Sequence, residues 1–188
     1  KKGPVFSKAE VIPYSNDTIA QLSGLHIEQN WDFFEMLSGC EKKNKYSVYS
    51  HSGQQDDDNT GALMMNIEED SDCMERMCCK NQRACVLLVR EGPAATKGGM
   101  GEGDVVMQFH KSFGMPQCCC MRPEMQIFDG QANKIGAIED PFACCQMDQK
   151  IYAPDGEQIY GATGSLCQAG IYFPCCGAKN ATFCAIYI

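Results

Sequence analysis

The residues most able to do chemistry in this chain are its 14 cysteines, and most of them come in runs. Cys78-Cys79, Cys118-Cys119-Cys120, Cys144-Cys145 and Cys175-Cys176 are clustered, while Cys40, Cys73, Cys85, Cys167 and Cys184 stand alone. Four thiolates at one point would hold a zinc ion. Cys78, Cys79, Cys144, Cys145, Cys175 and Cys176 are the candidate ligands, with Cys73 and the Cys118 run in reserve. No pair shows the Cys-x2-Cys spacing of zinc knuckles or of dithiol redox sites. Adjacent cysteines on a strand point to opposite faces, so a doublet is a poor donor to one disulfide. The pattern indicates a reducing compartment, where clustered thiols bind metal, carry lipid or simply pack as small apolar residues.

Other candidate groups have ordinary explanations. Asp56, Asp57, Asp58 and Asn59 offer oxygens for calcium but lack the alternating spacing and closing Glu of an EF-hand, and a solvated hairpin tip accounts for them. His26, His51 and His110 lie far apart, and no Ser/His/Asp grouping emerges. The glycine-rich stretch 98–103 precedes a strand pattern, whereas a phosphate loop leads into a helix. The 11 methionines, including Met64-Met65, read as core filling or as an adaptable binding face. No catalytic constellation is found, and an enzyme is not expected.

The whole chain bounds these options. Its 188 residues, 44% apolar, suffice for one domain with a sizeable core. A net charge of -8 disfavours nucleic acid and simple electrostatic docking on an anionic leaflet. No run approaches the roughly 18 apolar residues of a membrane span. Residues 1–4 have no apolar run behind them, so no signal peptide is read there.

The elements that must position the cysteines follow from periodicity. Residues 1–17 read as an extended arm and 18–188 as one domain. A first strand is expected over 19–27. Trp31, Phe34 and Leu37 give a short amphipathic helix over 29–37, stopped at Ser38-Gly39. Strands and turns are expected thereafter, as a repeat. In the first copy, 46–49 goes out and 62–67 returns, a loop ends in Cys78-Cys79, 84–90 goes out, 105–110 returns, and Cys118–Cys120 closes the unit. The second copy runs out at 124–128, turns at Asp129-Gly130, returns over 134–139 to Cys144-Cys145, goes out at 150–152, returns over 158–161, and closes at Cys175-Cys176. Residues 181–188 open a third. In an up-and-down array every return strand ends at the same pole, so all four cysteine clusters are expected there, opposite the tips at Gly53, Gly99, Gly130 and Gly156.

Several stretches resemble the phospholipid scramblase family. FFEMLSGCEKKNKYSVYSHSGQQ (33–55) is similar to the opening of that family's core. EEDSDCMERMCCKNQRACVLLVR (68–90) matches its acidic, Cys-x4-Cys-Cys, apolar-strand pattern. The Cys118 run and GAIEDPFACCQMDQKIYAPDGEQIYGATGSLCQAGIYFPCCG (136–177) match its second half in order and spacing. The resemblance covers about residues 22–188. It implies an all-β, tubby-like antiparallel barrel of four-strand units, of which this chain supplies two and the first strand of a third. The remainder of the third unit and the central helix would lie beyond Ile188. It implies palmitoylation of Cys118, Cys119 and Cys120, although this run is shorter than the family's double cluster. Calcium is the cofactor it implies, through an acidic segment that would also lie beyond Ile188. The expected function is ATP-independent, bidirectional movement of phospholipids between leaflets at the cytoplasmic face of a membrane. The alternative is a scaffold or accessory subunit of a large assembly, using the barrel to bind protein subunits that cover its open edge.

Overall fold

The computed structural model describes residues 19–22, 24–30, 43–51, 60–79, 82–93, 101, 103–115, 121–143, 146–165 and 184–187, with backbone only for His51, Thr60 and 184–187. Among the described residues ten strands form one antiparallel sheet in sequence order: β1 (Gly24–Gln29), β2 (Lys45–His51), β3 (Thr60–Asp70), β4 (Cys85–Glu91), β5 (Val105–Lys111), β6 (Glu124–Asp129), β7 (Lys134–Glu139), β8 (Gln146–Tyr152), β9 (Gln158–Ser165) and β10 (Cys184–Tyr187). Among the described residues helix α1 (Cys73–Cys79) lies between β3 and β4. The all-β expectation holds. The sheet is an open array, with no pairing between β1 and β10 among the described residues.

The internal repeat is visible in the hydrogen-bond register. Each of the hairpins β2–β3, β4–β5, β6–β7 and β8–β9 carries a one-residue bulge on its return strand, and β2–β3 has a second register shift between Tyr49 and His51. Val48 and Tyr49 face Met65 and Leu63, which leaves Met64 extra. In the same way Val106, Ile135 and Ile159 are the surplus residues of the next three hairpins. The pairings that join one hairpin to the next contain no such shift. A bulge bends its strand and increases the local twist, so bulges repeated on successive return strands favour coiling of the sheet. All four surplus residues are apolar, and a bulge re-aims its side chain.

Cross-strand partners share a face of the sheet. One face is largely apolar: Leu87, Phe109 and Ile127 lie in one register row, and Met125, Ile138 and Ile151 in the next. The opposite face carries Lys45, Glu68 and Gln108. The core sits on the apolar face at β2–β5, where Val48, Ala62, Met64, Met65 and Val89 are buried. Ile19 and Leu22 pack on it, joined by a Leu22 N–H to Ile19 carbonyl bond of 3.1 Å.

Three expectations are corrected. Ile19 and Ala20 are helical and the first strand begins at Gly24, because a turn brings Ile19 and Leu22 together onto the core. The helix expected over 29–37 cannot begin at Gln29, which is paired with Tyr46 in β1; Trp31, Phe34 and Leu37 lie outside the described residues. The loop expected before Cys78-Cys79 is helix α1. Strands β8 and β9 are also longer than their apolar cores suggested, since the pairing runs on through Gln146–Lys150 and Ala162–Ser165.

Candidate functional site at the cysteine-bearing end of the sheet

The site is assembled where β3 leaves the sheet. Asp72 caps α1, its carboxylate accepting the Met74 N–H at 2.7 Å and its carbonyl the Arg76 N–H at 3.1 Å. Glu75 follows three residues later, which completes the spacing of a capping box. That Asp-x-x-Glu was the signal for the helix.

Helix α1 is inverted relative to an ordinary surface helix. At 3.6 residues per turn, Cys73, Met77, Met74 and Cys78 occupy one continuous arc of about 140°. All four are exposed, Met74 at 67% and Met77 at 60%. Arg76 and Cys79 are half-buried on the other side, and Arg76 donates to the Ser71 carbonyl and hydroxyl. The sulfur-bearing side therefore faces solvent rather than the sheet.

Behind α1 lies an open cleft of about 540 Å³. Asp70, Asp72, Glu75, His110 and Lys111 are the charged or titratable groups that line it, with Ala84, Cys85 and Val86. The spacing comes from the sheet. Asp70, Val86 and His110 are in register on β3, β4 and β5, so Asp70 and His110 are two strand spacings apart, about 9.6 Å. Lys43 Nζ contacts the Asp70 carboxylate at 2.7 Å, an exposed pair. Lys111 Nζ donates to the Arg83 carbonyl at 3.0 Å. The His110 ring packs on Phe128 with centroids 4.7 Å apart and lies 3.1 Å from Gln108 Oε1.

A buried ion pair fixes the frame of this end. Glu69 and Arg83 are almost inaccessible, and the guanidinium meets the carboxylate through two bonds. Asn44 Nδ2 adds a third at 2.6 Å. Burial alone would raise the Glu69 pKa, but the bonds from Arg83, Ser71 and Asn44 outweigh it and hold the group at about 2. Burial, reinforced by the Glu69 charge, pushes the Cys85 thiol and the Tyr46 phenol up. Cys85 is therefore a protonated thiol at neutral pH, a poor nucleophile and a poor metal ligand.

A second buried carboxylate, Glu68, points to the opposite face. It accepts the Gly101 N–H at 2.7 Å and lies 3.2 Å from Lys45 Nζ. Asn66 donates to the Gly92 carbonyl at 2.9 Å, and Arg90 to the Gly103 carbonyl at 3.0 Å. Gly92, Gly101 and Gly103 are thus held by the buried Asn66 and Glu68 of β3 and the half-buried Arg90 of β4, a structural use that the sequence pattern did not disclose.

The cysteine expectations divide accordingly. The connections β3–β4, β5–β6, β7–β8 and β9–β10 leave one end of the antiparallel array, and these carry the four clusters. Of the proposed ligands, Cys78 is exposed and Cys79 half-buried on α1, with Cys73 also exposed. Cys118, Cys119, Cys120, Cys144, Cys145, Cys175 and Cys176 lie outside the described residues, as do Asp56–Asn59. Among the described residues no group of three His, Cys, Asp or Glu side chains is placed to hold a metal. The α1 thiols do not form a zinc site by themselves, because the helix spreads them around its surface. Among the described residues no helix is long and apolar enough to cross a membrane.

Comparison with known proteins bears on this arrangement. No solved structure matches the chain. Phospholipid scramblase 1 of Mus musculus is 24% identical over 147 residues, 78% of this chain and 33% of the relative. Phospholipid scramblase 1 of Homo sapiens is 23% identical over 147 residues, 78% of this chain and 34% of that protein. Phospholipid scramblase 4 of Mus musculus is 22% identical over 172 residues, 89% and 46%. The chain thus spans between a third and a half of the length of these relatives. Residues 4–179 match the family described as Scramblase. That match runs through the bulged hairpins, α1 and the cysteine-bearing connections alike, and the chain belongs to the scramblase family.

Proposed function

We propose that this protein is a phospholipid scramblase-like, membrane-associated protein that moves phospholipids in both directions between leaflets without ATP. The observation that carries the reading is the family match over residues 4–179. The named relatives are phospholipid scramblases, and the apolar, outward-facing side of α1 is compatible with work at a lipid surface. Within this reading the protein acts at the cytoplasmic face of a membrane, calcium is the stimulating ion, and Cys118, Cys119 and Cys120 carry palmitoyl groups. The test is dithionite quenching of fluorescent lipid in vesicles reconstituted with the protein, without ATP and with calcium varied. Quenching that spreads from the outer leaflet to the inner supports scrambling. Quenching confined to the outer leaflet in vesicles shown to hold the protein rejects it.

A second reading is a scaffold or accessory subunit that uses the sheet to bind other proteins. It is favoured by the exposure of apolar residues toward the later strands, where Ile135 is 41%, Tyr160 40% and Phe142 62% exposed. Stable, stoichiometric recovery of partner subunits without lipid movement would favour it.

A further inference from the structure

Cys73, Met77, Met74 and Cys78 form the outer arc of α1, and all four are exposed and bear sulfur. We infer that this arc is a binding site for a soft monovalent metal ion, Cu(I), held by the Cys73 thiolate and the Met74 and Met77 thioethers. The site goes beyond the proposed function and does not depend on lipid movement.

Helix geometry selects three of the four sulfurs. Residues three and four apart on a helix lie about 5–6 Å from each other at Cβ. Long helical side chains lean back toward the N-terminus, over the preceding turn. Met77 is therefore directed at Cys73 and Met74, four and three residues back. An unbranched thioether with three rotatable bonds spans the gap that is left. Cys78 stands over Met74 in the same way, but its side chain is short and Met74 leans away from it. The first turn is fixed by Asp72, which accepts the Met74 N–H at 2.7 Å and so sets where Cys73 and Met74 leave the backbone.

The donors then select the ion. Thiolate and thioether ligands favour Cu(I), whereas oxygen-rich sets suit calcium and magnesium. Among the described residues no three His, Cys, Asp or Glu side chains gather at one point, so zinc finds no donor set on α1. Methionine sulfur supplies what those groups do not. The exposed carboxylates of Asp72 and Glu75 stand in the same turn and add attraction for a cation, while Arg76 is turned away to Ser71. A lipid contact would be served equally well by leucine, and sulfur at all four outer positions is the feature that favours a soft ion. Binding involves no redox step. The Cys73 S–H bond breaks, its proton passes to solvent, a Cu–S bond forms, and each thioether donates a lone pair.

Other cysteines of the chain also have thiols to offer copper, so the test reads this site residue by residue. The whole reduced chain, isotope-labelled at the methionine methyls, is titrated anaerobically with Cu(I) from a bicinchoninate buffer. The Met74 and Met77 methyl signals, assigned from the single Leu variants, should shift and saturate together. Zinc should leave both unmoved. Cys73→Ser should weaken copper binding at these methyls at least tenfold, with α1 intact by its amide pattern, and Cys78→Ser should leave it unchanged. Met74→Leu with Met77→Leu keeps the apolar surface and should lose the copper-dependent shift of the Cys73 amide. Copper uptake with both methyls unmoved, an unaltered affinity in Cys73→Ser, or the same methyl shifts with zinc overturns the site. A Cys73 amide that responds as before in the double Leu variant overturns the part given to the thioethers.

Discussion

Arg83 Nε lies 2.7 Å from Glu69 Oε1 and its terminal nitrogen 2.8 Å from Oε2, with both side chains almost wholly buried. The pair ties the short segment before β4 to the end of β3, and Lys111 of β5 is fixed to the same segment. Replacing Arg83 with Met would leave Glu69 buried and uncompensated, at a cost of about 3–5 kcal/mol. Chemical denaturation of the variant beside the parent measures it. A loss below 1 kcal/mol would show that the carboxylate relaxes to water.

The same pair sets an acid limb in the stability profile. Glu69 is held at about 2, below its ordinary 4.5, so its folded-state pKa is depressed. Its contribution is fully present above pH 4.5 and is lost as pH falls toward about 2. On linkage it amounts to about 3 kcal/mol. Denaturation midpoints between pH 6 and pH 2 should fall for the parent, and less steeply for Glu69→Gln. Parallel curves would remove Glu69 as the cause.

Equivalent bulges should differ in energy because they differ in burial. Met64 is fully buried and Ile135 is 41% exposed, although each is the surplus residue of its hairpin. Met64→Ala should cost about 2–5 kcal/mol, and Ile135→Ala about 1 kcal/mol or less. Equal losses would mean that the two halves of the apolar face are covered alike.

Gly114 links β5 to the chain leading into β6. A Cβ there would stand 2.6 Å from Pro123 N and 2.7 Å from its Cα, and backbone cannot swing aside as a side-chain tip does. Gly114→Ala should therefore destabilise by about 1–3 kcal/mol, read from the thermal midpoint. A neutral result would show that the two segments separate readily.

Ala132 is a non-glycine residue with a left-handed φ of 63° in the turn between β6 and β7. Asp129 fixes that turn by accepting the Gln131 and Asn133 amides. Ala132→Gly removes the Cβ clash and should stabilise by up to about 1 kcal/mol, the strain relieved exceeding the added chain entropy. Lower stability would place the entropic term above the strain.

Much of the fold was legible in the sequence because β-structure here is written locally. Runs such as 84–90 and 124–128, punctuated by Asp129-Gly130 and Pro154-Asp155-Gly156, gave the outgoing strands, the turns and the repeat order. The same repeat fixed which connections leave from which end of the array. The bulges were not legible, since Met64, Val106, Ile135 and Ile159 differ in no local way from their neighbours, and only pairing with the opposite strand makes one residue surplus. Helix α1 was written in Asp72 and Glu75 but masked by the cysteines between and after them. The outward turn of Met74 and Met77 had no local signal at all. The partnership of Glu69 with Arg83, and the bond from Lys111 to the Arg83 carbonyl, join residues on separate elements. Sequence determines which charges this chain carries and which stretches must pair. The tertiary structure alone decides which of those charges are buried against each other and which are left exposed, because that depends on where the ends of three strands and a helix meet.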